Sequence, residues 1–156
     1  MRHLADAHWK SRCILGLILV VSIIGKGRAE APSIRIIRPD SVTLTPSPVG
    51  PSSAYLLGSP KQAGLYVISA VYPAGRKGTP HRHPDQRVMT VISGTFYAGT
   101  GPEFDETKVQ ALSPGSVLII PANALHWGWA KDGDVLVQEV GIGPTGTQLP
   151  AAASSK

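Results

Sequence analysis

From Gly64 to Ile142 the chain sets short apolar runs between turn residues. The runs are "LYVISAVYP", "VMTVISGTFYAG", "KVQALSP", "SVLIIPA", "LHWGWAK" and "VLVQEVGI". They are rich in β-branched and aromatic side chains, which suit a pleated surface, and "PAG", "SGT", "SPG", "PANA" and "DGD" interrupt them. Six such runs at a spacing of roughly 8–14 residues predict short strands joined by turns, hence an all-β antiparallel barrel or sandwich. No run keeps a helical apolar period, beyond one short turn at "DETKVQA".

Residues 30–64 follow another pattern. Pro46, Pro48, Pro51 and Pro60 exclude a long helix and leave extended pieces, "SIRII" and "SVTLT", in a loosely packed lead-in. The end of the chain, "PTGTQLPAAASSK", is small and polar, which predicts a frayed tail. The pattern shows neither an internal repeat nor a second domain.

The first residues reverse the rule again. Arg2, Lys10 and Arg12 stand against Asp6 alone, and the apolar run "ILGLILVVSII" follows, Ile14 to Ile24. A basic stretch, an apolar stretch and then small residues make the order of a secretory signal. Gly27 and Ala29 suit the two small positions before a cut, which places cleavage between Ala29 and Glu30 and assigns residues 1–29 to the signal. The apolar run is roughly a third to a half too short to span a bilayer. Cys13 precedes the run, so it makes a poor lipid anchor, and no twin arginine precedes it either. The expected address is periplasmic or secreted, with export as an unfolded chain and no membrane attachment after cleavage.

Cleavage changes what the composition means. The whole chain has 156 residues and a formal charge of +5, but removing 1–29 leaves ten basic and nine acidic residues. A nucleic-acid partner needs a dense basic surface, and none remains. The mature chain then has no cysteine and three histidines, His81, His83 and His126.

His81 and His83 are one residue apart. Alternate strand positions share a face, so the two imidazoles project together, the arrangement chelation needs. His126 comes 43 residues after His83, beyond the strong run "SVLII" and a proline-bearing turn, where an adjacent strand brings it opposite the pair. Without thiols the usual ligands are His, Asp and Glu, and neutral imidazole suits Zn, Cu, Fe or Ni.

The spacing around these histidines resembles a known family. "G-RKGTP-H-R-H-PDQ-R-VMTVIS-G", Gly75 to Gly94, is similar to the first cupin motif, G-x5-H-x-H-x3-E-x6-G. "G-SVLII-P-A-N-AL-H-WGW-A", Gly115 to Ala130, is similar to the second, G-x5-P-x-G-x2-H-x3-N. Arg87 stands at the glutamate position, Asn123 at the second motif's inner glycine and Ala130 at its final asparagine. In wording the chain resembles small single-domain bacterial cupins. The resemblance implies a single cupin (jelly-roll) β-barrel over residues 54–142, after a lead-in at 30–53 and before a flexible tail at 143–156. It also implies one divalent metal ion at the barrel centre, held by His81, His83 and His126.

Arg87 breaks the pattern. A guanidinium offers only donors and cannot ligate a cation. With an unbroken pleat, positions 81, 83, 87, 89 and 91 share parity, and Arg87 faces the cavity. A cation beside a metal then calls for an anion between them, so metal and Arg87 would clamp a carboxylate ligand. In the competing reading, Arg87 bends out through a bulge at "HPDQ" and pairs with Asp85 at the rim. A parity shift would instead offer Gln86 as a weak oxygen ligand.

The remaining candidates carry less. Met89 and Trp127 are expected to line the ligand cavity, with Trp129, Phe96, Tyr66 and Tyr72 as further wall or plain core residues. Glu139 is the one strand carboxylate, a candidate fourth ligand or general base. Glu103, Asp105 and Glu106 read as a solvated loop. Zinc is favoured over iron and manganese, because periplasmic loading follows raw affinity and the hard glutamate ligand is missing. The function implied is an exported metal-binding barrel for a small anionic organic ligand, with oxygenase or isomerase chemistry. A non-catalytic periplasmic ligand-binding or sensor barrel is the alternative, and a homodimer is one assembly open to it.

Overall fold

The runs read above become eight strands, and their boundaries follow the turn residues closely. In this computed structural model, which describes Ala31 and residues 33–150, the strands are β1 (Ser52–Leu57), β2 (Gly64–Tyr72), β3 (Arg87–Ser93), β4 (Phe96–Thr100), β5 (Gln110–Leu112), β6 (Val117–Ile120), β7 (His126–Trp129) and β8 (Val135–Gly143). The expected signal segment, 1–29, lies outside the described residues. From Ile36 onward the chain belongs to one unit.

All pairings are antiparallel. One sheet has the order β1-β2-β8-β3-β6 and the other β5-β4-β7. Two sheets closing on a shared interior make the jelly-roll the resemblance implied. The run "VMTVISGTFYAG" supplies both β3 and β4, and Gly94 between them has φ 79°, a left-handed turn that glycine adopts without strain.

The interior follows from strand parity. Met89 and Val91 on β3, Val135 and Val137 on β8, and Ala70 on β2 are buried together with Phe96, Ile120 and Ala130. Close approach needs small residues at two points. A Cβ on Gly99 would lie 2.1 Å from the Trp127 ring, and one on Gly128 would lie 2.1 Å from the Phe96 ring. These glycines make room for the two large side chains that fill that end of the barrel.

Two expectations about the flanks change. The lead-in contributes β1 from Ser52, two residues before the expected boundary, and Thr45 pairs with Ser53 through two backbone hydrogen bonds of 2.8 and 3.0 Å. The tail expected to fray from 143 is tied down as far as Gln148. Thr145 N–H donates to the Pro60 carbonyl at 2.7 Å, and Gln148 and Arg82 exchange two backbone bonds of 2.9 Å. The turn at "DETK" is a short 3-10 turn, Glu106–Lys108, in which Thr107 N–H donates to the Asp105 side chain at 2.9 Å.

Candidate metal centre

The three histidines meet. His81 and His126 exchange two backbone hydrogen bonds of 2.9 Å, which fixes their two segments side by side. The His83 carbonyl accepts from Asn123 N–H at 2.7 Å, and Asn123 turns the chain at φ 63°. Asparagine tolerates that left-handed conformation better than most residues, which accounts for its standing at the motif's glycine position. The ring centroids lie 4.8, 4.4 and 5.3 Å apart.

One detail differs from the sequence reading. The pair does not open β3, which begins only at Arg87. It lies on a separate stretch, bridged to β7 through His81 and to the tail through Arg82.

Each imidazole is oriented from behind. Nδ1 of His81 lies 2.8 Å from the Thr79 carbonyl, that of His83 2.9 Å from Gly146 and that of His126 3.0 Å from Ala124. A carbonyl oxygen only accepts, so each Nδ1 carries the proton and each Nε2 keeps a free lone pair. The three candidate ligand atoms lie within 4.8 Å of one another. Burial, helped by the Arg87 cation and the two other imidazoles and opposed by the Gly146 bond, lowers His83 to about 4. Burial lowers His126 as well. Both are therefore neutral at neutral pH, with oriented lone pairs and backbone partners behind them. That donor set fits a divalent metal.

Below the histidines lies a buried charged network. Arg87, only 7% exposed, donates to Asp85 at 2.7 Å, to Thr145 Oγ1 at 3.1 Å and to Glu139 at 3.3 Å. Asp85 also accepts from the Tyr66 hydroxyl at 2.6 Å and from the Thr145 hydroxyl. Burial pushes the Asp85 carboxyl up, but the bonds from Thr145, Tyr66 and Arg87 outweigh it and hold it at about 2. Glu139 is left with the longer Arg87 contact, and burial raises it against the pull of that cation.

Both readings of Arg87 are thereby corrected. It faces the interior, as the unbroken pleat predicted, and it also pairs with Asp85, but inside and not at the rim. The anions its charge calls for are the protein's own, Asp85 and Glu139, so no unpaired cation is left over for a carboxylate ligand. Gln86 is exposed and lines neither cavity. The sequence reading names Asp85 as the partner of Arg87 and misplaces it at the rim; Thr145, which accepts from Arg87, and Tyr66, which donates to Asp85, are the members it lacks.

Two connected features give the centre its surroundings. An inner pocket of about 40 Å³ is bounded by the three histidines with Arg87, Met89, Phe96, Trp127 and Glu139 among its walls. That space admits an ion and a water or two. A larger cavity of about 550 Å³ shares His81, His83, Arg87, Glu139 and Tyr72 with the inner pocket, and has Val49, Tyr55, Ile68, Arg76 and Leu149 among its other walls. Met89 and Trp127 thus line the inner pocket, whereas Trp129 lines neither and lies beneath Lys77 and Lys131. Phe104, from the loop read as solvated, packs on Trp127 with ring centroids 4.3 Å apart.

Neither a family model nor a curated relative matches the chain. Solved structures do. The polyketide cyclase RemF from Streptomyces resistomycificus is 13% identical, with a TM-score of 0.64 over 78% of this chain and 89% of that one. A protein with a double-stranded β-helix domain from Klebsiella pneumoniae is 23% identical, with a TM-score of 0.60 over 77% and 100%. An RmlC-like cupin from Shewanella frigidimarina is 16% identical, with a TM-score of 0.56 over 72% and 94%. The fold they share with this chain is the cupin jelly-roll.

Proposed function

We propose that this protein is an exported, metal-dependent enzyme that binds a mid-sized, oxygen-bearing organic substrate above a three-histidine centre. One observation carries the reading. Three oriented Nε2 lone pairs converge on an inner pocket of about 40 Å³ that also holds the buried carboxylic group of Glu139, and His81, His83 and Glu139 line the neighbouring cavity of about 550 Å³ as well. His81, His83 and His126 would hold one divalent metal, zinc ahead of iron and manganese, because the donors are neutral imidazoles and no hard carboxylate joins them. Such a metal supplies Lewis acidity to a substrate oxygen.

The chain's own residues do the rest. The walls at Tyr55, Ile68, Tyr72 and Leu149 are apolar or aromatic and would take a hydrocarbon or ring-bearing body. Arg87 is shared, and Asp85 takes its shorter bond, so Glu139 is the carboxyl able to hold or accept a proton beside the substrate. This favours proton-transfer chemistry, isomerisation or elimination, and a cyclase on the same fold shows that the fold supports catalysis. A carboxylate on the substrate is no longer required, since Arg87 is already neutralised.

Protein purified from its native host tests the proposal directly. It should begin at Glu30 and carry one zinc per chain; Met1 retained in a cytoplasmic pool, or stoichiometric iron or manganese, would overturn those parts of the reading. For catalysis, zinc-loaded protein is screened for turnover against aromatic hydroxy- and keto-compounds. Glu139→Gln should keep fold and metal while lowering kcat about 10²–10⁴-fold on whichever compound is turned over. Unchanged kcat in that variant would remove Glu139 from the chemistry, and binding without turnover across the panel would favour the sensor reading.

A further inference from the structure

Besides its histidines, the larger cavity is lined by three side chains of formal charge, Arg76, Arg87 and Glu139. Arg87 and Glu139 belong to the network with Asp85 and offset one another. Arg76 has no such partner. It is partly buried, and among the described residues no carboxylate lies within ion-pair distance of it. Its guanidinium reaches the Pro48 carbonyl at 3.5 Å, long for a hydrogen bond and engaging one donor of five. The next residue, Lys77, lies off the cavity wall and pairs with Glu106. The backbone that carries Arg76 is fixed. Gly75 N–H donates to the Ala130 carbonyl at 2.7 Å, Ala130 N–H to the Arg76 carbonyl at 3.1 Å, and Gly78 N–H to the Gly128 carbonyl at 2.7 Å. The same stretch ends at His81, bridged to His126. It therefore bears a cation at one end and a histidine of the metal centre at the other. The facing chain from His126 to Ala130 separates them by about 13 Å of strand.

We infer that Arg76 is the anion-recognising residue of this cavity, and that the substrate is a ring-bearing carboxylic acid. The inference rests on the proposed function in taking the cavity as the substrate site, and it adds which end of the substrate goes where. A guanidinium without a counter-charge, partly withdrawn from water, gains most from a planar carboxylate gripped by two of its donors. The opposite end of the cavity sets the orientation. Asp85 and Glu139 stand there around Arg87, so an acid group placed among them would meet two carboxyl groups and a cation already taken. The acid is thus drawn to Arg76, and an uncharged oxygen of the substrate is left to face the histidines. Between the two polar ends Tyr55, Ile68, Tyr72 and Leu149 line the cavity and receive the ring. Thr79 and Thr147 add hydroxyl-bearing side chains to the same wall. Arg76 decides which compound binds and which way round; the proton stays with Glu139.

Calorimetric titration with matched acids and amides tests the inference. The probes are para-hydroxybenzoate, para-hydroxyphenylacetate and para-coumarate, each set against its primary amide. Shape is nearly the same within a pair, and charge differs. The wild type should bind at least one acid roughly ten- to a hundredfold more tightly than its amide, both with zinc bound and with zinc removed. Arg76→Gln should bring the two affinities together by weakening the acid alone. Arg76→Glu should make the amide the better ligand. Far-UV circular dichroism and zinc stoichiometry should match the wild type in both variants. Equal binding of acid and amide by the wild type overturns the inference, as does no binding of either across the three pairs. A preference that survives Arg76→Gln overturns it too. So does one that disappears when zinc is removed, which would place the acid on the metal. The proposed function fails separately. An acid preference that Arg76→Gln abolishes, in a protein that turns over nothing, supports the anion site and counts against the enzyme alone. Turnover of uncharged compounds, with acid and amide bound alike, upholds the enzyme and overturns the anion site.

Discussion

Arg87→Met should lower the unfolding free energy by about 3–5 kcal/mol, a large part of what a single domain has. The reason lies in what stays behind. Asp85 and Glu139 are both buried, and Arg87 is the cation between them. Methionine fills similar volume but leaves two carboxyl groups without their counter-charge, and removing one partner of a buried network costs far more than the network is worth intact. Arg87→Lys should recover part of the loss, because an ammonium restores the charge but not the fork that reaches Asp85, Thr145 and Glu139 together. Arg87→Glu restores the residue cupins carry at this position and should be worse than methionine, since it adds a third carboxyl group to the same space. Urea denaturation with unchanged slope measures each effect. If Arg87→Met stays within about 1 kcal/mol of the wild type, the network does not hold buried charge in solution.

That network also marks the limit of what the sequence discloses. Strands were legible because β-branched runs and turn residues are local signals, and the histidine pair was legible because its spacing is short. Asn123 could be read as a turn from its motif position, and its φ of 63° bears that out. The partners of Arg87 could not be read in the same way. Glu139 is 52 residues away and Thr145 is 58, and only the antiparallel register of β3 with β8 brings the first of them in. Thr145 sits in a stretch whose composition reads as disordered, yet it bonds to Pro60, Asp85 and Arg87. Small polar residues show only that a segment cannot build a core; whether its backbone finds partners depends on what the fold places beside it.

The second large effect concerns the metal. His83→Ala should empty the centre and leave the barrel folded. His83 contributes one of three Nε2 donors, and its loss leaves two neutral imidazoles for a divalent ion. Removing an outer partner of a metal ligand already costs about 10–100-fold in affinity, so deleting a ligand should cost at least that. The structural penalty is smaller. The Gly146 carbonyl loses the Nδ1–H that it accepts at 2.9 Å, at about 1–3 kcal/mol, while the Asn123 N–H to His83 carbonyl bond is backbone and survives. Zinc titration with a thermal-shift readout separates the two terms. The wild type should gain stability with zinc as binding to the folded state requires, and the variant should show a flat response at the same concentrations. Elemental analysis after dialysis should give one zinc per chain in the wild type and none in His83→Ala. A variant that still retains one zinc per chain would place the ion elsewhere, and the cavity above the histidines would lose its claim to be the site.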